Sequence, residues 1–274
     1  MIVVTGATGN VGRTLVRLLA GAGHPVVAVA RRIGATDVPA GVRAVAADLA
    51  DPASLRPALT GADALFLLVA GEDPAGLLDQ ARQAGVTRVV LLSSQGVGTR
   101  PGGAYAHAAG FERAVAAGGL EYTVLRSGGL ASNAFAWAEP IRAHRTAAAP
   151  FAEVALPFVD PDDVAAVAAA VLTGDGHQGA TYVLTGPAAT TPRQRAAALA
   201  AAIGEPVAFV EQTREQAHAQ LSAVLPAPVV EGTLAILGEP TPAEQAVSPH
   251  VAQILGRPAA PFAAWAARNA AAFR

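Results

Sequence analysis

Three glycines at intervals of three residues stand near the start of the chain, in the sequence VTGATGNVG. Gly6, Gly9 and Gly12 follow a run of four apolar or β-branched residues and open a segment with helical apolar periodicity. Glycine at such a turn lets the backbone approach a pyrophosphate, and the amides and dipole at the helix start stabilise its charge. Because the strand and the helix are both present, the pattern favours a dinucleotide site over an ordinary glycine-rich turn. The other residues expected near the phosphates are Thr8, Asn10 and Val11.

Two arginines, Arg31 and Arg32, follow the second predicted strand. Proteins that prefer NAD place an acidic residue at this point, where it binds the ribose hydroxyls. A guanidinium group pairs bidentately with a 2′-phosphate, whereas a carboxylate repels it. The alternative is a pair of solvated arginines at a strand end. The sequence therefore predicts NADP(H) rather than NAD(H) as the cofactor.

The absence of lysine and cysteine removes several kinds of chemistry. The chain has 274 residues, and its 19 basic side chains are all arginine, against 21 acidic ones, which gives a net charge of −2. Without lysine there is no Schiff-base chemistry, no Walker-type phosphate loop and no Tyr-x-x-x-Lys pair. Without cysteine there are no disulfides, thiol nucleophiles or cysteine zinc sites. Any phosphate recognition by a cationic side chain falls to arginine.

Short apolar runs alternate with helical patterns along the first half of the chain, as in a doubly wound parallel α/β sheet. The second half is richer in proline and predicts shorter elements. We expect a Rossmann domain over residues 1–186, with 131–160 as a cleft loop, and a small α+β substrate-binding unit over 187–274. The predicted strands are 2–5, 26–30, 42–46, 64–69, 89–92, 122–125, 180–184 and 207–211, and the predicted helices are 11–20, 52–59, 75–83, 106–117, 162–172, 192–203, 214–224 and 261–273.

A series of motifs resembles the NmrA-like branch of the atypical short-chain dehydrogenases/reductases. The motifs cover nearly the whole chain in order, and they read VTGATGNVGRTLV, the pair Asp48 and Leu49, LLSSQGV, FERAVAAGGLEYTVLRSGGLASNAF, VDPDDVAAVAAAVL, GATYVLTGP and FAAWAARNAAAF. The resemblance implies an NADP-binding Rossmann domain, a small C-terminal substrate domain and a cleft between them. By position it assigns Asp48 and Leu49 to the adenine, Val69, Ala70 and Gly71 to the ribose, and Ser93 and Ser94 to the nicotinamide.

Members of this branch are either reductases, many of them acting on quinones or other aromatic compounds, or catalytically silent sensors of the nicotinamide redox state. The family often has Lys or His four residues before the glutamate matched by Glu112, and here that residue is Ala108. Direct hydride transfer to a quinone remains possible, because it needs mainly proximity and orientation and little proton donation. The candidates for a donor or orienting role are Tyr105, His107 and Ser94, and each is alternatively a hydrogen-bonding group of a loop or helix start.

The segment GGLASNAFAW follows the sixth predicted strand and leaves the sheet at its carboxyl edge, where ligands bind in such folds. Its aromatic residues, with two more downstream, predict an apolar wall for a flat ligand, although they could equally seal a domain interface. The residues assigned to substrate binding are Asn133, Phe135, Trp137 and Phe151, with Phe158 as a further lining residue.

Composition completes the prediction. No apolar run approaches the ~20 residues that a membrane helix needs, and the first residues read as a strand, so a cytoplasmic protein is expected. There is no basic stripe for nucleic acid, and the six histidines lack metal-ligand spacing. We expect a metal-free monomer or homodimer that uses NADPH to reduce a quinone or polycyclic aromatic compound, as in natural-product tailoring. The alternative is a non-catalytic NADP sensor.

Overall fold

The computed structural model describes all residues, Met1–Arg274, and places seven parallel strands in one sheet. Their order is β3, β2, β1, β4, β5, β6, β8. Two further strands, β7 and β9, form a separate parallel pair. In chain order the strands are β1 Ile2–Thr5, β2 Val26–Ala30, β3 Arg43–Ala46, β4 Ala64–Leu68, β5 Arg88–Ser94, β6 Glu121–Ser127, β7 Thr146–Pro150, β8 Thr181–Leu184 and β9 Ala208–Gln212.

Thirteen α-helices connect the strands or cover the sheet. They are α1 Gly12–Gly21, α2 Arg56–Leu59, α3 Pro74–Gln83, α4 Gly96–Thr99, α5 Ala106–Ala117, α6 Ala138–His144, α7 Pro161–Thr173, α8 Pro192–Ile203, α9 Arg214–Ser222, α10 Ala227–Gly238, α11 Pro242–Gln245, α12 His250–Leu255 and α13 Phe262–Arg268. Short 3₁₀ segments lie at Ala35–Asp37, Pro52–Leu55, Gly103–Tyr105, Ala131–Trp137 and Ala270–Phe273.

The strand order reverses at β1, whose neighbours in the sheet are β2 and β4. The carboxyl ends of parallel strands lie at one edge, so this reversal opens a crevice beside the first turn. The central strands are continuously apolar because helices cover both of their faces. One face packs against α1, α7 and α12, and the other against α2, α3 and α5. The predicted doubly wound fold is confirmed.

A smaller core forms in the second half of the chain. Trp265, Phe273 and Leu199 are buried together beside the β7–β9 pair. Two segments cross between the units, since residues 131–147 contribute to this smaller core and residues 250–259 return to the core of the large sheet. No helix of the structure has the length and apolar character needed to cross a membrane.

Two helices that the sequence analysis did not predict, α10 and α11, lie over the carboxyl edge of the sheet. A partly buried ion pair attaches them to the loop after β5: Arg100 Nε donates to Glu244 Oε1 at 2.8 Å, and its NH2 donates to Oε2 at 2.9 Å. Arg100 NH2 also donates to the carbonyl of Glu239, at 2.6 Å. Burial opposes ionisation of Glu244, but hydrogen bonds from Arg100, from the Thr241 amide and from Thr99 outweigh it and lower the pKa of the carboxyl group.

Glu244→Gln should therefore destabilise the protein, since it leaves a partly buried guanidinium with a neutral partner. We expect the free energy of unfolding at pH 7 to fall by about 3 kcal/mol. Because folding lowers the pKa of Glu244, its ionised carboxylate stabilises the fold fully above pH 4.5, the ordinary pKa, and this stabilisation is lost as the pH falls through the lowered pKa. The difference in unfolding free energy between wild type and variant should therefore shrink in acid. Urea titrations at several pH values measure this. Glu153→Gln, which removes the exposed ion pair with Arg193, is the control and should cost less than about 1 kcal/mol.

Candidate active site

The first turn of the sheet is built by close backbone packing. Gly6 has φ 64°, in the region that favours glycine, and a Cβ there would overlap the Leu68 side chain. A Cβ on Gly12 would overlap the carbonyl oxygen of Gly6. The start of α1 is thereby held directly against the end of β1. Glycine is required at both positions for this approach.

The amides of this turn are available to a ligand. The N–H groups of Thr8, Asn10 and Val11 have no backbone acceptor, and no side chain caps the N-terminus of α1. The Asn10 side chain donates to Ser132 Oγ at 3.0 Å, which connects the turn to the segment after β6. Free amides at the positive end of a helix dipole suit a pyrophosphate. The turn therefore fits the phosphates of a dinucleotide.

The residues assigned to the adenosine side lie at the neighbouring strand ends. Gly71 has φ 81°, and a Cβ there would overlap the carbonyl oxygen of Leu49, so the loops after β3 and β4 touch. Asp48 is exposed, with its carboxylate accepting from the Ala50 amide at 3.0 Å. Val69 and Ala70 are half-buried beside them. These residues are brought together at one edge of the sheet.

Arg31 and Arg32 are exposed at the end of β2 and form no ion pair. The nearest acidic side chain along the chain, Asp37, accepts instead from the Gly34 amide, at 2.8 Å. Both guanidinium groups are thus free to bind an anion at this edge of the sheet. Their assignment to a 2′-phosphate remains a prediction.

A buried polar network fixes the ends of β5 and β6. Ser93 Oγ donates to Glu112 Oε1 at 2.6 Å, and Arg126 binds both carboxylate oxygens of Glu112, at 3.0 and 2.6 Å. Glu112 lies on α5, so the network joins this helix to both strands. Ser93 is committed to this contact, whereas the Ser94 hydroxyl accepts from the Gly96 amide and faces a cavity.

This first cavity, of about 200 Å³, lies over the carboxyl ends of β5 and β6. Its lining includes Ser94, Tyr105, Phe158 and residues of α10. Tyr105 packs between two glycines: a Cβ on Gly96 would overlap its ring, and Gly232 of α10 lies on another side. Burial raises the pKa of Tyr105, Glu244 raises it further, and Arg100 opposes the shift. The phenol is therefore protonated at neutral pH.

A second cavity, of about 420 Å³, continues from the first toward the smaller core. Asn133, Phe158, Thr233 and Leu237 line both cavities. The walls of the second cavity are mainly apolar and include Trp137, whose indole nitrogen donates to the carbonyl of Ala148 at 2.8 Å. Its volume is in the range of small-molecule sites.

Three of the residues assigned to catalysis or substrate binding lie outside both cavities. His107 is exposed, with its ring edge-on to Phe111 and 3.7 Å from Glu72, although Tyr105 is only two residues away. The change from a 3₁₀ turn to α5 directs the two side chains apart. Phe135 stacks on Phe273 and contacts the Trp265 ring edge-on. Phe151 packs against Gly238 at the back of α10.

The sequence analysis missed Arg195, Glu244 and the lining face of α10. Arg195 is buried in the wall of the second cavity, with its guanidinium 3.9 Å from the centre of the Phe158 ring. Helical spacing could have indicated its burial, because it lies four residues before Leu199 on the buried face of α8, whereas Arg193 lies off that face and is exposed. Helix α10 is apolar and contains Gly232 and Gly238, so its pattern does not indicate which face is buried.

The fold and the turn define a Rossmann-type, dinucleotide-dependent protein with a cavity at its strand ends. The sequence pattern of the NAD(P)H-binding family matches residues 6–175, and the chain belongs to this family. A (4-alkanoyl-5-oxo-2,5-dihydrofuran-3-yl)methyl phosphate reductase of Streptomyces griseus is 39% identical over 100% of this chain and 99% of its own length. An NAD(P)H azoreductase of Xenophilus azovorans is 33% identical over 100% of this chain and 99% of its own length.

Among solved structures, the NADPH-dependent quinone oxidoreductase of Escherichia coli in complex with NADPH has a TM-score of 0.80. It is 27% identical, and the match covers 98% of this chain and 99% of that one. The resemblance to atypical short-chain reductases is thus confirmed, as is NADP(H) as the cofactor. The chain is an NAD(P)H-dependent oxidoreductase.

Gly12→Ala should weaken NADPH binding by about tenfold or more, because the added methyl group forces the turn away from its phosphate-binding geometry. Fluorescence titration with NADPH measures the dissociation constant. Gly21→Ala is the matched control at the other end of α1, where a Cβ meets nothing within 4 Å, and it should leave the affinity unchanged. Equal affinities of the two variants would contradict the assignment of this turn.

Replacing Arg31 and Arg32 together by alanine should weaken NADPH binding by about tenfold to hundredfold and leave NADH binding unchanged. The reason is that charge-assisted hydrogen bonds contribute about 1.5–3 kcal/mol, and only NADPH carries the 2′-phosphate. Parallel titrations with NADPH and NADH give, for each cofactor, the ratio of the dissociation constants of the variant and the wild type. A proportional loss for NADH, or none for NADPH, would show that these arginines do not bind the 2′-phosphate.

Proposed function

We propose that the protein reduces an electron-poor conjugated compound of the quinone class by hydride transfer from NADPH. The observation that carries the proposal is the first cavity, which places a protonated tyrosine beside Ser94 at the carboxyl edge of β5 and β6. Its continuation into a larger, mainly apolar cavity provides space for a flat substrate. The relatives, named as quinone, azo and furanone reductases, support an acceptor of this kind.

When bound, NADPH supplies a hydride that, with one proton, converts a quinone into its hydroquinone and leaves NADP⁺. The protein needs to hold the acceptor in place and exclude water, because hydride transfer depends on distance and orientation. Helix α10 and Phe158 supply much of the apolar lining of the first cavity. Asn133 lines both cavities and has no hydrogen-bond partner for its side-chain amide, so we assign it to a substrate oxygen.

Tyr105 is the group that we assign to proton donation. Its hydroxyl forms no hydrogen bond within the protein, and its raised pKa keeps the proton on the oxygen. No lysine is present to lower that pKa. A neutral phenol is a weak acid, which is sufficient for a delocalised anion such as a reduced quinone. Glu244, the one acidic residue lining this cavity, is engaged by Arg100 and Thr241.

The proposal is tested by mixing the purified protein with NADPH and a panel of neutral quinones, and following the absorbance of the reduced nicotinamide. We expect oxidation of NADPH in a one-to-one ratio with hydroquinone formed. Tight NADPH binding without oxidation by any quinone of the panel would overturn the proposal.

Tyr105→Phe should lower kcat by about tenfold to hundredfold with little change in KM, since it removes the proton donor and keeps the ring. In the wild type, kcat should not fall with rising pH until above 10.0, the ordinary pKa of tyrosine, because the raised pKa keeps the donor protonated. Stopped-flow measurements between neutral and alkaline pH give both results. His107→Gln is the comparison, and its kcat should stay at the wild-type value because the ring lies outside both cavities. Equal kcat values for all three proteins would exclude Tyr105 as the donor.

A further inference from the structure

Arg195 is a buried cation without an anionic partner. It lies in the first turn of α8 and is 6% exposed, yet only one hydrogen bond holds its guanidinium, from NH1 to the carbonyl of Thr190 at 2.7 Å. No ion pair includes it, and burial is the sole cause that lowers its pKa, to about 10. The group is therefore charged at neutral pH, and most of its five N–H donors have no protein acceptor.

Arg193, two residues earlier in the same helix, has the environment that is usual for an arginine. Its Nε is 2.7 Å from Glu153 Oε1, and half of its side chain is exposed. Arg195 has instead a stacking contact with the Phe158 ring, at 3.9 Å. A cation–π contact returns less free energy than the burial of an unpaired charge costs. The structure thus contains no anion that compensates the buried charge of Arg195.

Arg195 lines the second cavity. Arg195 is the one charged residue among those that line it, and the other lining residues are apolar or neutral. Pro192, the first residue of α8, also lines the cavity, so the positive end of this helix dipole adds to the local potential. The hydroxyl of Thr190, whose carbonyl holds Arg195, is buried with no hydrogen-bond partner. The site offers donors and positive charge in an apolar setting, which is the chemistry that binds an anionic oxygen group.

We propose that Arg195 is an anion-binding subsite, and that the substrate carries a phosphate or carboxylate group which this guanidinium binds. This inference rests on the proposed function, because it places the reducible part of the same molecule in the first cavity. Phe158 connects the two positions. Its ring lies against Arg195 on one side and is 2.9 Å from where a Cβ of Gly129 would stand, next to the first cavity. The apolar wall of the second cavity would then contact the rest of the substrate.

Binding is tested without turnover, on protein saturated with NADP⁺ so that the cofactor's phosphate sites are filled. Isothermal titration with phenyl phosphate, benzoate and neutral benzyl alcohol should show at least one anion binding about tenfold or more tighter than the alcohol. Tighter binding of phenyl phosphate than of benzoate indicates a substrate with a phosphate group, and tighter binding of benzoate indicates a substrate with a carboxylate group. Equal binding of all three compounds would overturn the proposal.

Arg195→Met removes the charge while filling a similar volume, and Arg193→Met is the matched control two residues away. The Arg195 variant should lose the preference for the anion, whereas the Arg193 variant should keep it. The melting temperature of Arg195→Met should equal or exceed that of the wild type, because an unpaired buried charge is removed. An unchanged anion preference in a folded Arg195→Met protein would show that this residue does not bind the anion.

Turnover separates this inference from the proposed function. With 1,4-naphthoquinone and its 2-sulfonate, Arg195→Met should raise KM for the anionic quinone by about tenfold and leave KM for the neutral one unchanged. If both quinones are reduced and the variant changes neither KM, the anion-binding role of Arg195 is wrong, and the proposed quinone reductase activity is upheld. If neither quinone is reduced while Arg195→Met still abolishes anion binding, the anion-binding role of Arg195 is upheld, and the proposal that the protein reduces quinones is wrong.

Discussion

The common direction of the seven strands is the constraint on which the rest of the molecule depends. Because all are parallel, their carboxyl ends lie at one edge, and every loop that leaves the sheet there contributes to the same crevice. The pairing of Ser94 with Ser127 sets the ends of β5 and β6 level with each other, directly under the first cavity. The network of Ser93, Glu112 and Arg126 joins these two strand ends to each other through α5.

The second half of the chain completes the site by covering that edge. Helix α10 lies against Tyr105, and the ion pair between Arg100 and Glu244 attaches the segment to the loop after β5. Helix α8 brings Arg195 to the far end of the same space. The two cavities therefore differ in chemistry, since a neutral phenol and a hydroxyl line the first and a cation lines the second, mainly apolar one. Such a division suits a substrate with a reducible part and an anionic group.

The strands and the cofactor turn could be predicted from the sequence because local pattern determines them. Strand β1 and helix α5 begin and end where the apolar pattern predicts, at Ile2–Thr5 and Ala106–Ala117. Strand β7 could not be predicted, since TAAAP has no strand propensity and becomes extended through its pairing with β9. Arg195 was missed although it shares the buried face of α8 with Leu199, because an arginine is normally exposed and the sequence does not show its packing against Phe158. His107 and Tyr105 are close in sequence, but residues two apart at a helix start do not face each other, so only Tyr105 lines the cavity.

We propose that the cavity over β5 and β6 holds the nicotinamide end of the cofactor, with the substrate space beyond it. A crystal structure of the protein with NADP⁺ tests this most directly. We expect the nicotinamide ring beside Ser94, with Tyr105 and Phe158 facing the same open space, and the 2′-phosphate against Arg31 and Arg32. A nicotinamide outside this cavity, or one from which Tyr105 is turned away, would contradict the account.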